Sequence, residues 1–156
     1  MTETNEIYMN AIQIKNSEVH GRGVFASKII KKDDLIEVAP LIRLEWKLKY
    51  QYDRIIRDYC WMNSKCDCQD CKMHGPALYL AMGYGSMYNH HDEPNTKIKL
   101  DYNNLQLIIM ANRDIEQDEE IFVSYGERYF KTSRRRLATQ QEETKKETNE
   151  TESEHT

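Results

Sequence analysis

From Ala11 onward, apolar and polar residues alternate over short runs, a period of two that predicts strands rather than long helices. Ile12 and Ile14 alternate with polar neighbours, and Gly23-Val-Phe-Ala26 follows a glycine turn. Leu35-Ile-Glu-Val38 and Leu41-Ile-Arg-Leu44 read as two strand segments flanking Pro40. Ile98, Leu100 and Tyr102 alternate with polar residues, Leu105 to Ala111 reads as a buried strand, and Ile121 to Ser124 as another. Asn103-Asn104 supplies the hairpin turn between the first two of these, because Asn tolerates positive φ. Two stretches have a different texture. Glu45 to Tyr59 mixes Trp46, Leu48, Tyr50, Ile55, Ile56 and Tyr59 with charges, which predicts a short helix or an irregular insert. Pro76 to Met87 predicts a helical turn. The fold class is therefore mainly β with short helices (α+β).

One internal echo stands out. Lys28-Ile-Ile-Lys-Lys-Asp-Asp-Leu-Ile36 resembles Arg113-Asp-Ile-Glu-Gln-Asp-Glu-Glu-Ile121. Each places an Ile, a charged turn and then a strand-starting Ile, and two similar turns account for it without common ancestry.

The ends of the chain are polar. Residues 1–10 predict a flexible N-terminus and residues 138–156 a disordered acidic tail, since neither can bury enough apolar surface to offset its ordering entropy. That leaves residues 11–137 as one domain with a modest core, with an insert at 45–76. The tail also explains the charge. Its six Glu and two Lys account for the whole net charge of −4, so the domain itself is formally neutral. A neutral domain makes no electrostatic case for direct nucleic-acid binding or for a membrane partner. No apolar run is long enough to span a bilayer, and Met1 to Asn10 has no signal-peptide pattern. The expectation is a soluble, intracellular protein, cytoplasmic or nuclear, whose four cysteines are thiols or metal ligands before they are disulfides.

The cysteines Cys60, Cys66, Cys68 and Cys71 fall within twelve residues, followed by His74. Zinc favours four tetrahedral sulfur or nitrogen ligands. Three of these cysteines with Cys60 or His74 would supply them and staple an insert poor in core residues; reduced or redox-active thiols are the other reading. Gly21-Arg22-Gly23 permits close backbone approach to a ligand, though such a pair is commonly just a turn before a strand. Asn89 brings two donors and an acceptor that must be satisfied if buried. Tyr125 ends a strand in Val-Ser-Tyr-Gly.

Three motifs in this order, His20-Gly-Arg-Gly-Val-Phe-Ala26, Asn89-His-His-Asp-Glu-Pro-Asn95 and Glu119-Glu-Ile-Phe-Val-Ser-Tyr-Gly126, resemble those of the SET-domain protein lysine methyltransferases. The likeness spans about residues 11–131 and includes features of the small stand-alone viral and bacterial SET enzymes. It implies small twisted β-sheets with a C-terminal pseudoknot that brings Asn89-His90 beside Tyr125. It implies S-adenosylmethionine as cofactor, held by Gly21, Arg22, Gly23, Asn89, His90 and Tyr125, with Pro94 and Asn95 shaping the loop. Tyr125 would orient the reacting lysine amine, and Tyr59, Val123 and Tyr129 would line the substrate channel. The substrate would be a protein presenting a lysine, a histone tail being the family's best-known target, and a homodimer is an accompanying expectation. Three positions depart from the pattern. Asp92 stands where members with a zinc-bound post-SET module carry Cys, so that module is not expected. Val123 replaces an aromatic that influences how many methyl groups are added, and Asp33 and Asp118 occupy turns that commonly hold Gly. Two rivals remain: a non-catalytic binding module of the same fold, and a metal- or redox-sensing protein centred on the cysteines.

Overall fold

The computed structural model describes residues 11–44, 54–126 and 129. The N-terminus, most of the insert before Arg54, and the tail lie outside them. The chain divides into two compact units, residues 1–124 and residues 125–156. Among the described residues, the first unit holds the strands β1 (Ile12–Asn16), β2 (Arg22–Ala26), β3 (Leu35–Arg43), β4 (Cys60–Asn63), β5 (Ala77–Ala81), β6 (Asn89–His90), β7 (Thr96–Asp101), β8 (Gln106–Ala111) and β9 (Glu120–Val123). Two short helices, α1 (Arg54–Asp58) and α2 (Gln69–His74), flank β4. One sheet runs β1-β2-β9-β6 and the other β4-β5-β3-β8-β7. All pairs are antiparallel except β6 with β9. No helix among the described residues is long and apolar enough to cross a membrane.

The alternating runs form strands with the expected faces in and out. In β8, Leu107, Ile109 and Ala111 are buried between less buried neighbours, and in β9, Ile121 and Val123 are fully buried. The apolar residues of both sheets make the core, with Val24, Ile36, Leu107, Ile109 and Ile115 at 0–1% exposure.

Three expectations need correction. Residues 77–81 form β5, not a helical turn. Ala77, Tyr79 and Ala81 are buried in alternation, and β5 is bonded to β4 on one side and β3 on the other. Helix formers such as Ala and Leu are overruled here by two strand partners. Secondly, the segments around Pro40 are one strand. β8 pairs with Leu35 to Pro40 and β5 with Leu41 to Arg43, so the proline falls where β3 passes from one neighbour to the other. Its missing N–H costs little at that handover. Thirdly, the β7–β8 hairpin turns at residues 102–105, but the positive φ belongs to Leu105 (52°) rather than to either Asn. Asn104 instead fixes the turn by donating from its backbone and side chain to the Asp101 carboxylate, at 3.1 and 3.0 Å.

The internal echo is a contact. Ile30 and Ile115 exchange backbone hydrogen bonds of 2.9 and 2.8 Å. Around them the two turns repeat each other: Asp33 and Asp118 have φ of 69° and 65°, and the N–H groups of Lys31 and Glu116 donate to the carboxylates of Asp34 and Glu119. Each turn also clasps the other's strand. Asp118 N–H donates to Ala26 and Asp33 N–H to Ala111. Positive φ at Asp is tolerated because its short side chain can bond locally. These clasps fix where β9 enters the first sheet, and β9 carries the site.

Candidate active site

Asn89 lies in β6, a two-residue strand that pairs in parallel with β9, setting Asn89 opposite Phe122 and His90 opposite Val123. Asn95 holds that register. It is 1% exposed, donates to Glu120 O at 2.8 Å and accepts from Phe122 N–H at 2.8 Å, mimicking a strand partner with its side chain. Thr96 adds a hydroxyl bond to Phe122 O at 2.7 Å, and Asn112 donates to the carbonyls of Pro94 and Thr96. Asn95 therefore ties the loop to β9, and Asn112 holds the Pro94 carbonyl. His90 places Nε2 3.1 Å from Asp92 Oδ1, and the neighbouring His91 packs against Phe122.

Asn89 is 7% exposed, and its amide nitrogen faces three acceptors: His20 O at 3.1 Å, Arg22 O at 3.3 Å and Glu120 Oε1 at 2.8 Å. The first two come from the glycine loop, so the Gly21–Gly23 loop and Asn89 form one cluster. Glu120 is anchored from its other oxygen by Ser17, whose hydroxyl donates at 2.9 Å. Gly21 has φ of 52°, where a side chain would be strained. Gly23 is glycine for a different reason. A Cβ there would stand 2.1 Å from Glu120 Oε1 and 3.0 Å from Asn89 Nδ2. The absent Cβ makes room for the Glu120 carboxylate. Glu120 and Ser17 were not among the expected site residues. The only signal was an acidic residue opening a buried strand.

A separate buried carboxylate bonds to residues that precede Asn89 in the chain. Glu37, 2% exposed, accepts from Tyr88 Oη at 2.7 Å and Tyr84 N–H at 2.9 Å. Burial pushes its carboxyl above the ordinary value, and the two hydrogen bonds offset that only in part. The pair pins the turn that leads from β5 into Asn89.

Of the expected channel residues, Val123 is fully buried in the core of the first unit, and Tyr59, just after α1, is 44% exposed. Tyr125 and Tyr129 belong to the second unit. Their rings pack edge-on with centroids 4.7 Å apart, and Tyr129 N–H donates to Gly126 O at 3.3 Å.

The cysteines separate into a trio and an outlier. Cys66, Cys68 and Cys71 bring their sulfurs within 4.8 Å of one another. Neither Cys60 nor His74 joins them. The Cys60 thiol donates to Ile56 O at 3.2 Å, and burial pushes it up to about 11. Within the trio, the Cys71 backbone N–H and the neighbouring thiols draw Cys68 down to about 7, while burial raises Cys71 to about 11.

The SET domain family model matches residues 21–126. A Schizosaccharomyces pombe protein, histone-lysine N-methyltransferase, H3 lysine-37 specific, is 30% identical over 125 residues, covering 78% of this chain and 77% of its own. The crystal structure of a Plasmodium falciparum protein designated a histone methyltransferase superposes with a TM-score of 0.56 at 31% identity, over 75% of this chain and 94% of that one. The mainly β architecture, the three motifs in order and these relatives lead to one assignment: this chain belongs to the SET-domain family and is a protein-lysine methyltransferase, using the family's cofactor, S-adenosylmethionine.

Proposed function

We propose that Asn89, His90 and the Gly21–Arg22–Gly23 loop hold S-adenosylmethionine, that Tyr125 orients the acceptor lysine, and that the substrate is a histone tail. The convergence on Asn89 carries the first part. Three acceptors share an amide that has only two N–H groups. Such a surplus of oxygen, one of them from a carboxyl group, suits an added cation, and the cofactor's amino-acid end carries an ammonium. The Asn89 amide oxygen adds an acceptor beside the same cluster. The relatives named for histone lysine methylation support the substrate class.

Bound in this way, the cofactor supplies a sulfonium-activated methyl group. The protein's own part is positional. A free lysine is protonated at neutral pH, its reference pKa being about 10.4, and enclosure by apolar side chains favours the neutral amine that can accept the methyl. Tyr125, by its hydroxyl and ring, fixes the amine's approach, and water exclusion protects that alignment. Tyr59, Val123 and Tyr129 are assigned to the channel walls on the same reading. Transfer from a sulfonium needs no metal, so the cysteine trio has no place in the chemistry.

The test is transfer of label from S-adenosylmethionine to mixed histones and basic peptides, with Tyr125→Phe alongside. Label on lysine with wild type and its loss in the variant are expected. Cofactor binding without transfer to any lysine would instead make the chain a binding module of the same fold.

A further inference from the structure

The connection between β4 and β5, residues 64–76, is long for a hairpin. Its only regular element, α2, has six residues, too few to persist by itself. It also has no apolar core. Cys71 is its single buried side chain, and its one large apolar residue, Met73, is 63% exposed. The half-buried positions are Cys66, Cys68, Gly75 and Pro76. The inward-facing side chains of this loop are therefore three thiols pointing at each other.

We propose that Cys66, Cys68 and Cys71 are a three-thiolate site for one zinc ion, with the fourth position taken by water, and that the metal rather than apolar burial holds the 64–76 loop. Thiolates on tetrahedral zinc lie about 3.8 Å apart, given a Zn–S bond of about 2.3 Å. Cys66 and Cys68 are already at 3.3 Å and all three sulfurs lie within 4.8 Å, so small side-chain rotations reach that spacing. The backbone assists, since Cys68 immediately precedes α2 and Cys71 sits in its first turn, where Lys72 N–H bonds Cys68 O at 3.0 Å. Three thiolates on a divalent ion carry an excess negative charge. Arg43, on neighbouring β3, reaches Cys68 Sγ with Nη2 at 3.7 Å and supplies the compensating cation from outside the loop. Soft sulfur ligands in this number select zinc over calcium or magnesium, which take oxygen.

The full-length chain, purified with reductant, should contain one zinc, released on thiol modification and detected by a colorimetric chelator. Cobalt added to the stripped chain should give a sulfur-to-cobalt charge-transfer band and the visible bands of a tetrahedral ion. Cys66→Ser, Cys68→Ser and Cys71→Ser should each lower metal affinity at least tenfold, while Cys60→Ser and His74→Ala leave it unchanged. Stripping should remove hydrogen-exchange protection from residues 64–76 and spare β8. The cobalt titration and the exchange pattern use wild-type sequence, so a variant that fails to fold does not decide the matter. Absence of metal and of a cobalt spectrum overturns the proposal, as does a disulfide within the trio in the reduced chain. Equal loss of metal in Cys60→Ser or His74→Ala would overturn the three-ligand assignment.

Discussion

Replacing Gly23 by Ala tests the site's architecture most sharply. Gly23 lies in β2 and is not among the residues with positive φ, so an alanine there meets no backbone strain. Any cost comes from the added Cβ. That atom would sit 2.1 Å from Glu120 Oε1 and 2.9 Å from its Cδ, far inside any non-bonded contact. The carboxylate must swing away, breaking its bonds with Asn89 (2.8 Å) and Ser17 (2.9 Å). Bonds to a charged group contribute about 1.5–3 kcal/mol each. Glu120 is only half-buried and regains water on moving, so the combined loss is about 2 kcal/mol. For a domain of this size that lowers Tm by roughly 8 °C. The decisive comparison is a double-mutant cycle followed by thermal and urea unfolding. In a Glu120→Ala background the two Glu120 contacts are gone and only Asn89 Nδ2 at 3.0 Å remains, so Gly23→Ala should then cost about 0.5 kcal/mol, a coupling of about 1.5 kcal/mol. An equal cost in both backgrounds would refute the reasoning and return Gly23 to the role of an ordinary turn glycine.

Other outcomes follow from the same geometry. Tyr125→Phe should lower kcat by at least about tenfold, in line with loss of one orienting hydrogen bond of about 1.5 kcal/mol. Calorimetric cofactor affinity should stay within a factor of about three; a large loss of binding would place Tyr125 in cofactor retention instead. Asn89→Ala should do the reverse, weakening the cofactor by at least about tenfold in calorimetry; unchanged affinity would remove Asn89 from the site. Leu105, held at φ of 52°, should be improved by Leu105→Gly, by about 0.5–1 kcal/mol in urea unfolding; destabilisation would mean its half-exposed side chain contributes more than its backbone costs. Glu37, whose folded pKa is raised, favours its neutral form. Its contribution to stability is present below the unfolded value of about 4.3 and is lost as pH rises through the folded one. Stability measured against pH should show this loss in wild type relative to Glu37→Gln, and parallel profiles would contradict it.

Much of this arrangement could be read from residue order. Alternation located β1, β2, β7, β8 and β9, and the charged turns at Asp33 and Asp118 proved to share both position and positive φ. The Asn89 and Pro94-Asn95 motif was legible through its resemblance to the SET family. What could not be read depends on contacts far apart in sequence. β6 is two residues long, and its parallel pairing with β9 leaves no periodicity to detect. β5 looks helical in composition and becomes a strand only because β3 and β4 flank it. Glu120 looked like one more surface acid. Only the fold reveals that it fills the space left by Gly23, 97 positions earlier in the chain. Among the cysteines, spacing alone could not choose between Cys60 and His74 as a fourth ligand, and the structure gathers neither.

The central claim is that this chain methylates a lysine of a protein substrate, and the proposal gives Asn89 to cofactor retention and Tyr125 to the acceptor amine. The most direct measurement is mass spectrometry of histone peptides after incubation with S-adenosylmethionine and wild-type, Asn89→Ala or Tyr125→Phe chain. The account predicts added methyl on lysine with wild type and little or none with either variant, each still folded by circular dichroism. Methylation undiminished in both variants would contradict it.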